Sequence, residues 1–184
     1  LYSFSRALGG DFMGIYAYYI ASPFSYIVCL FPQAKILDAL LVIFLLKTGL
    51  CGFTFGFYIH KTGRSKSKIA TVIFSTMYAL TAYAVVQQHN SMWIDAVMWL
   101  PIISYGIEQL IKYGRFRMYL IFLSLTLMSN FYIGYMVCFY VAAYFFYYYF
   151  ANNRDNKNNP YGERRHFIKS FARFGAYSLL SVGA

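Results

Sequence analysis

The stretch Asn90–Pro101, NSMWIDAVMWLP, decides how the chain is read. It sets the carboxylate of Asp95, the two tryptophans Trp93 and Trp99, and Pro101 at the mouth of an apolar segment. Ser91 is a candidate N-cap, which puts Asp95 in the first helical turn, where a carboxylate gains from the helix dipole. A second reading stands beside it. Ionisable groups at the edge of a bilayer face protein or water, so Asp95 is also a candidate general base, or a ligand for a metal or sugar. Pro101 has no N–H to give the carbonyl of Val97, which predicts a kink and a free acceptor there.

Outward from this stretch, the composition excludes a soluble domain. Of the 184 residues, 60% are hydrophobic, 22% aromatic and only 12% charged. The charged share is about half the usual one, too little polar surface for a water-soluble fold of this size. The apolar residues fall in blocks long enough to cross a bilayer. The net charge of +10 points to nucleic acid only until the charges are located. Thirteen of the 16 Lys and Arg lie on or beside three short connectors, against two in residues 1–35. That asymmetry is the positive-inside pattern of a multi-pass membrane protein, not a nucleic-acid footprint.

These features predict an all-α, polytopic transmembrane helical bundle. Residues 1–35 read as an extracytoplasmic loop with short interfacial helices, rich in tyrosine and interrupted by Gly9, Gly10, Gly14, Pro23 and Pro32. The transmembrane region, 36–184, divides into spans at about 36–60, 69–87, 92–111, 118–130, 132–150 and 167–184. Cytoplasmic loops fall at 61–68, 112–117 and 151–166. Residues 118–150 as one helix would reach ~50 Å, far beyond a ~30 Å core. A break near Ser129-Asn130 makes 118–130 short or re-entrant and returns the third basic connector to the side of the other two. Leu1 in place of Met, and an apolar run stopping at Ala184, lead us to expect a piece of a longer protein. Cys29, Cys51 and Cys138 imply no disulfide framework.

Several further residues are candidates. Asp11, in GGDF, is a second outer-face acid, beside glycines that allow close backbone approach to a ligand but equally make an ordinary turn. Lys47 is roughly mid-span, where a bare ammonium costs at least ~2.5 kcal/mol, so a partner is expected; it either holds a lipid phosphate or makes an interhelical hydrogen bond. Glu108 is explained by an i,i+4 pair with Lys112. Asn130, Tyr132 and Tyr135 at the break either line a pocket suited to sugar hydroxyls or satisfy freed backbone. The Tyr/Phe run at 144–150 reads as a lipid-facing or interfacial aromatic stretch. No zinc spacing, P-loop or nucleotide fingerprint occurs, and no cofactor is identified, with a divalent metal left open.

The stretches LGGDFMGIYAYYIASPFS, the span centred on Lys47, NSMWIDAVMWLPIISYGIEQLI and SNFYIGYM, in this order, resemble the YfhO family of bacterial integral membrane proteins. That family is similar to the GT-C class of glycosyltransferases. The resemblance implies a GT-C-like fold in the bacterial plasma membrane and transfer of a sugar from a polyprenyl-phosphate carrier to an extracytoplasmic cell-wall polymer such as teichoic or lipoteichoic acid. It implies that Asp11 and Asp95 are catalytic acids on the extracytoplasmic side. Lys47, Trp93, Trp99, Asn130, Tyr132 and Tyr135 would then bind substrate. A GT-C enzyme carries an acid in its first outer loop, after a helix this chain lacks, so the main acid is open to lying upstream. A lipid or polymer transporter and a non-catalytic membrane assembly protein are the rival readings.

Overall fold

The computed structural model describes residues 2–3, 10–11, 20–153 and 164–183. Near the N-terminus two short strands, β1 (Tyr2–Ser3) and β2 (Gly10–Asp11), pair antiparallel, with Tyr2 opposite Asp11. Two 3-10 helices follow, Pro23–Leu30 and Gln33–Lys35. The rest is α-helical: α1 (Ile36–Thr62), α2 (Lys68–Ala79), α3 (Ala82–Val86), α4 (Ser91–Tyr113), α5 (Arg117–Ser129), α6 (Phe131–Asn153) and α7 (Arg164–Val182). Among the described residues four helical segments are long and apolar enough to cross a membrane: Gln33–Thr62, Lys68–Val86, Ser91–Tyr113 and Phe131–Ala151.

The helix ends follow local chemistry. α1 and α4 both stop at a glycine in the left-handed region, Gly63 (φ +66) and Gly114 (φ +70). Arg64 N–H donates to the Ile59 carbonyl, the six-to-one bond that closes a glycine-terminated helix, while at the end of α4 Gly114 N–H donates to the Leu110 carbonyl and Arg115 N–H to that of Gln109. α2 begins at Ser67, whose hydroxyl accepts from Ala70 N–H. α5 and α6 part at Asn130, which is extended (φ −159, ψ 112). Its side-chain Oδ1 accepts from Ile133 N–H at 3.0 Å and caps α6.

α4 is the centre of the bundle. Its apolar window is 72% buried, against 11% for 68–86, because α1, α5, α6 and α7 all pack on it. Cross-helix ties fix the directions. Lys47 meets Asp95 and Tyr58 meets Glu108, so α1 runs parallel to α4. Trp93 lies by Tyr132, Ser104 by Tyr140 and Glu108 by Tyr144, so α6 is parallel too. α1, α4 and α6 therefore end at the same end of the bundle, and the basic connectors 61–68 and 112–117 lie there. Gly106 is the close approach: a Cβ added there would stand 2.7 Å from the Tyr119 backbone nitrogen of α5.

Four expectations need correction. Glu108 makes its ion pair with Arg64, not Lys112, whose ammonium sits over the Tyr148 ring. The interhelical partner is closer in space than the side chain one turn away. Ser91 is the first residue of α4 rather than its cap; Asn90 holds the cap position without a side-chain cap bond. The span expected at 69–87 is present as Lys68–Val86 but is not one unbroken helix: α2 and α3 part at Leu80 and Thr81, with Thr81 extended (ψ 148). No proline or glycine marks that break. Finally, the aromatic run is two-faced: Phe145, Tyr148 and Tyr149 are buried against α7 and α4, while Phe146, Tyr147 and Phe150 face outward.

Candidate functional site

The site forms where α1 and α4 meet beneath the 3-10 helix Pro23–Leu30. Lys47 Nζ lies 2.7 Å from Asp95 Oδ1, and both side chains are only 1% exposed. The ammonium also donates to the Ser91 carbonyl oxygen at 2.7 Å and sits 5.5 Å from the centre of the Phe24 ring. Carboxylate, carbonyl and ring face thus surround one cation. The partner that a buried lysine requires is Asp95, 48 residues away in sequence and invisible to any spacing rule within one helix.

The pair is not fully matched. Among the described residues, Asp95 Oδ2 is buried without a hydrogen-bond partner, as are Ser22 Oγ and Trp99 Nε1. Ser22 faces the Asp95 carboxylate without a bond of ordinary geometry. Trp99 is one turn along α4 from Asp95, and its ring neighbours Phe24 (6.4 Å) and Phe122 (4.9 Å). Buried polar groups are seldom left unmet, so each such atom calls for a partner. The covering segment is itself an eight-residue 3-10 helix, an uncommon length for that weaker hydrogen-bond geometry.

The free carbonyl expected below Pro101 is taken up. Tyr78 Oη donates to the Val97 carbonyl at 2.7 Å, and Ser104 Oγ donates to that of Leu100. α4 continues unbroken through the proline.

The other candidates separate. Trp93 and Tyr132 stand together, ring centres 6.5 Å apart, joining the first turns of α4 and α6. Tyr132 and Tyr135 are exposed. Asn130 is buried and its amide oxygen caps α6, the backbone-satisfying alternative of its two readings. Asp11 is described only in the backbone of β2, and its side chain falls outside the described residues. Among the described residues no three His, Cys, Asp or Glu side chains gather as a metal site would need.

Sequence reasoning missed a second polar centre at the opposite end of α4. Glu108 Oε1 accepts from Tyr58 Oη (2.9 Å), Tyr144 Oη (2.7 Å) and Arg64 Nη2 (2.9 Å). Arg64, in the connector after α1, is about half exposed. Burial opposes its charge, but the Tyr58 and Tyr144 phenols and Glu108 outweigh this and hold it above its usual basicity. The signal available in the sequence was the near-equal spacing of Lys47 to Tyr58 and Asp95 to Glu108, 11 and 13 residues.

Bundle and buried charges together define a polytopic helical membrane protein with an ion pair inside its membrane-embedded core. The chain belongs to the family described as "Bacterial membrane protein YfhO", whose profile matches residues 1–184. It is similar to the "Uncharacterized protein YfhO" of Bacillus subtilis (strain 168), 23% identical over 192 residues, covering 95% of this chain and 22% of that protein. The chain thus spans about a fifth of the relative's length. No solved structure matches it significantly.

Proposed function

We propose that this chain is part of a GT-C-like membrane glycosyltransferase, which moves a sugar from a polyprenyl-phosphate carrier to an extracytoplasmic cell-wall polymer such as teichoic or lipoteichoic acid. One observation carries the reading: among the described residues Asp95 Oδ2 and, one turn along α4, Trp99 Nε1 are buried without a hydrogen-bond partner, beside a charged pair that Ser22 faces. Such a set matches the hydroxyl groups of a sugar or polyol. By the positive-inside rule the basic end of the bundle is cytoplasmic, which puts Asp95 and Asp11 outside.

In the reaction Asp95 Oδ2 takes the proton of the acceptor hydroxyl. The acceptor oxygen bonds to the anomeric carbon, the bond from that carbon to the carrier phosphate breaks, and its electron pair leaves with the phosphate. Lys47 aims Asp95 and places positive charge beside the departing phosphate, an interaction that strengthens as that charge develops. Trp93 and Tyr132, with Tyr135 beyond, offer aromatic faces for the sugar ring, and Asp11 is the second acid.

The test uses Asp95→Asn and Asp11→Asn in the full-length protein, with sugar on the extracytoplasmic polymer and carrier translocation both measured. The expected result is a loss of transfer of roughly 100-fold or more for Asp95→Asn at unchanged membrane abundance. Unchanged transfer contradicts the proposal. Loss of carrier translocation with transfer retained favours the transporter instead.

A further inference from the structure

Away from the ion pair, α1 and α2 enclose an open groove of about 880 Å³. Its walls are Gly49, Phe53 and Phe57 from α1 and Val72, Thr76 and Leu80 from α2 and its end. The glycines of α1 divide their work there. A Cβ on Gly56 would meet Ser75 Oγ at 2.8 Å, and one on Gly52 would meet Ala79 Cβ and the Ser75 carbonyl at 3.4 Å, so these two let the helices cross closely. Gly49 has nothing within 4 Å of an added Cβ. The crossing closes the floor of the groove, and the space beside Gly49 stays open.

The two ends of the groove differ in chemistry. At one end stand His60, Lys66 and Lys68, all exposed. Neither lysine makes an ion pair among the described residues, and no Asp or Glu lines the groove. Beyond that end the walls are apolar or small up to Leu80. The rise from Lys68 to Leu80 is about 18 Å, close to the ~15 Å half-thickness of a bilayer core. An occupant must therefore carry an apolar tail one leaflet long and an anionic head at the lysine level.

We infer that this groove binds one anionic glycerophospholipid of the leaflet that faces the basic connectors, with an acyl chain between Phe53 and Thr76 and its phosphate at Lys66 and Lys68. Basic residues at a membrane surface favour anionic headgroups by about 1 kcal/mol each. The site is separate from the Lys47–Asp95 pair and does not depend on glycosyl transfer, so each can fail without the other.

Native mass spectrometry of the full-length protein, titrated with phosphatidylglycerol or phosphatidylcholine, tests it. Phosphatidylglycerol should be retained in preference, and Lys66→Gln with Lys68→Gln should weaken its retention roughly 30-fold, the effect of two basic groups. Thr76→Trp, which fills the groove and leaves both lysines, should abolish the same adduct. Equal retention of the two lipids, or retention indifferent to both variants, overturns the inference. So does failure of a lipid-soluble maleimide to label Thr76→Cys in the full-length protein, since another protein segment would then occupy the groove.

Discussion

The two polar centres of α4 solve one problem in opposite ways. Both tie α1 to α4, about 16 Å apart along α1 and about 20 Å along α4. At the Glu108 end one carboxylate oxygen collects three donors, and the arginine reaches solvent. At the Asp95 end both charges are sealed, yet among the described residues one carboxylate oxygen and an indole N–H have no hydrogen-bond partner, and Ser22 faces the carboxylate without a bond of ordinary geometry. A tie that served only to hold helices together would be satisfied like the Glu108 centre. On the proposed reading, the difference is what a substrate at the Asp95 end would account for.

The comparison can be broken by variants, taken from the largest effect down. Asp95→Ala or Lys47→Ala strands a buried charge and should cost about 3–5 kcal/mol, read as a fall in Tm of the purified full-length protein. Two residues before Glu108, Gly106→Ala forces a Cβ against the Tyr119 backbone and should cost about 1–3 kcal/mol. Glu108→Gln removes the charge and keeps an acceptor for both tyrosines, so a smaller loss of about 1–2 kcal/mol is expected. If it equals the loss at Asp95, the two centres are alike and the contrast fails. Asn130→Ala, which removes only the cap of α6, should cost about 1 kcal/mol in the same melts.

What was legible in the sequence lay in local chemistry. Pro101 announced the free Val97 carbonyl, and the excess length of 118–150 demanded a break where Asn130 stands. Lys47 announced that it needed a partner but not which one. Its answer, like that of Glu108, depends on α1 and α4 lying parallel with α2 and α3 returning between them, a long-range arrangement that no i,i+4 rule contains. The same limit explains Tyr144, which reads as part of a lipid-facing or interfacial stretch until α1 and α6 bring its hydroxyl and that of Tyr58 to one carboxylate. The unmet atoms near Asp95 were illegible for a further reason. Ser22 belongs to a loop whose return over the ion pair is set by Phe24 packing on Trp99 and Lys47.

The central claim, that the Lys47–Asp95 pair acts on a substrate and is more than a tie, is tested most directly by replacing both charges at once. Sugar transfer by the full-length Lys47→Met, Asp95→Leu protein should be measured beside its Tm. Apolar replacement of a buried pair is often neutral or stabilising, so the account predicts a folded protein with a Tm at or above the unmodified value and no detectable transfer. Full transfer by that doubly substituted protein would contradict it.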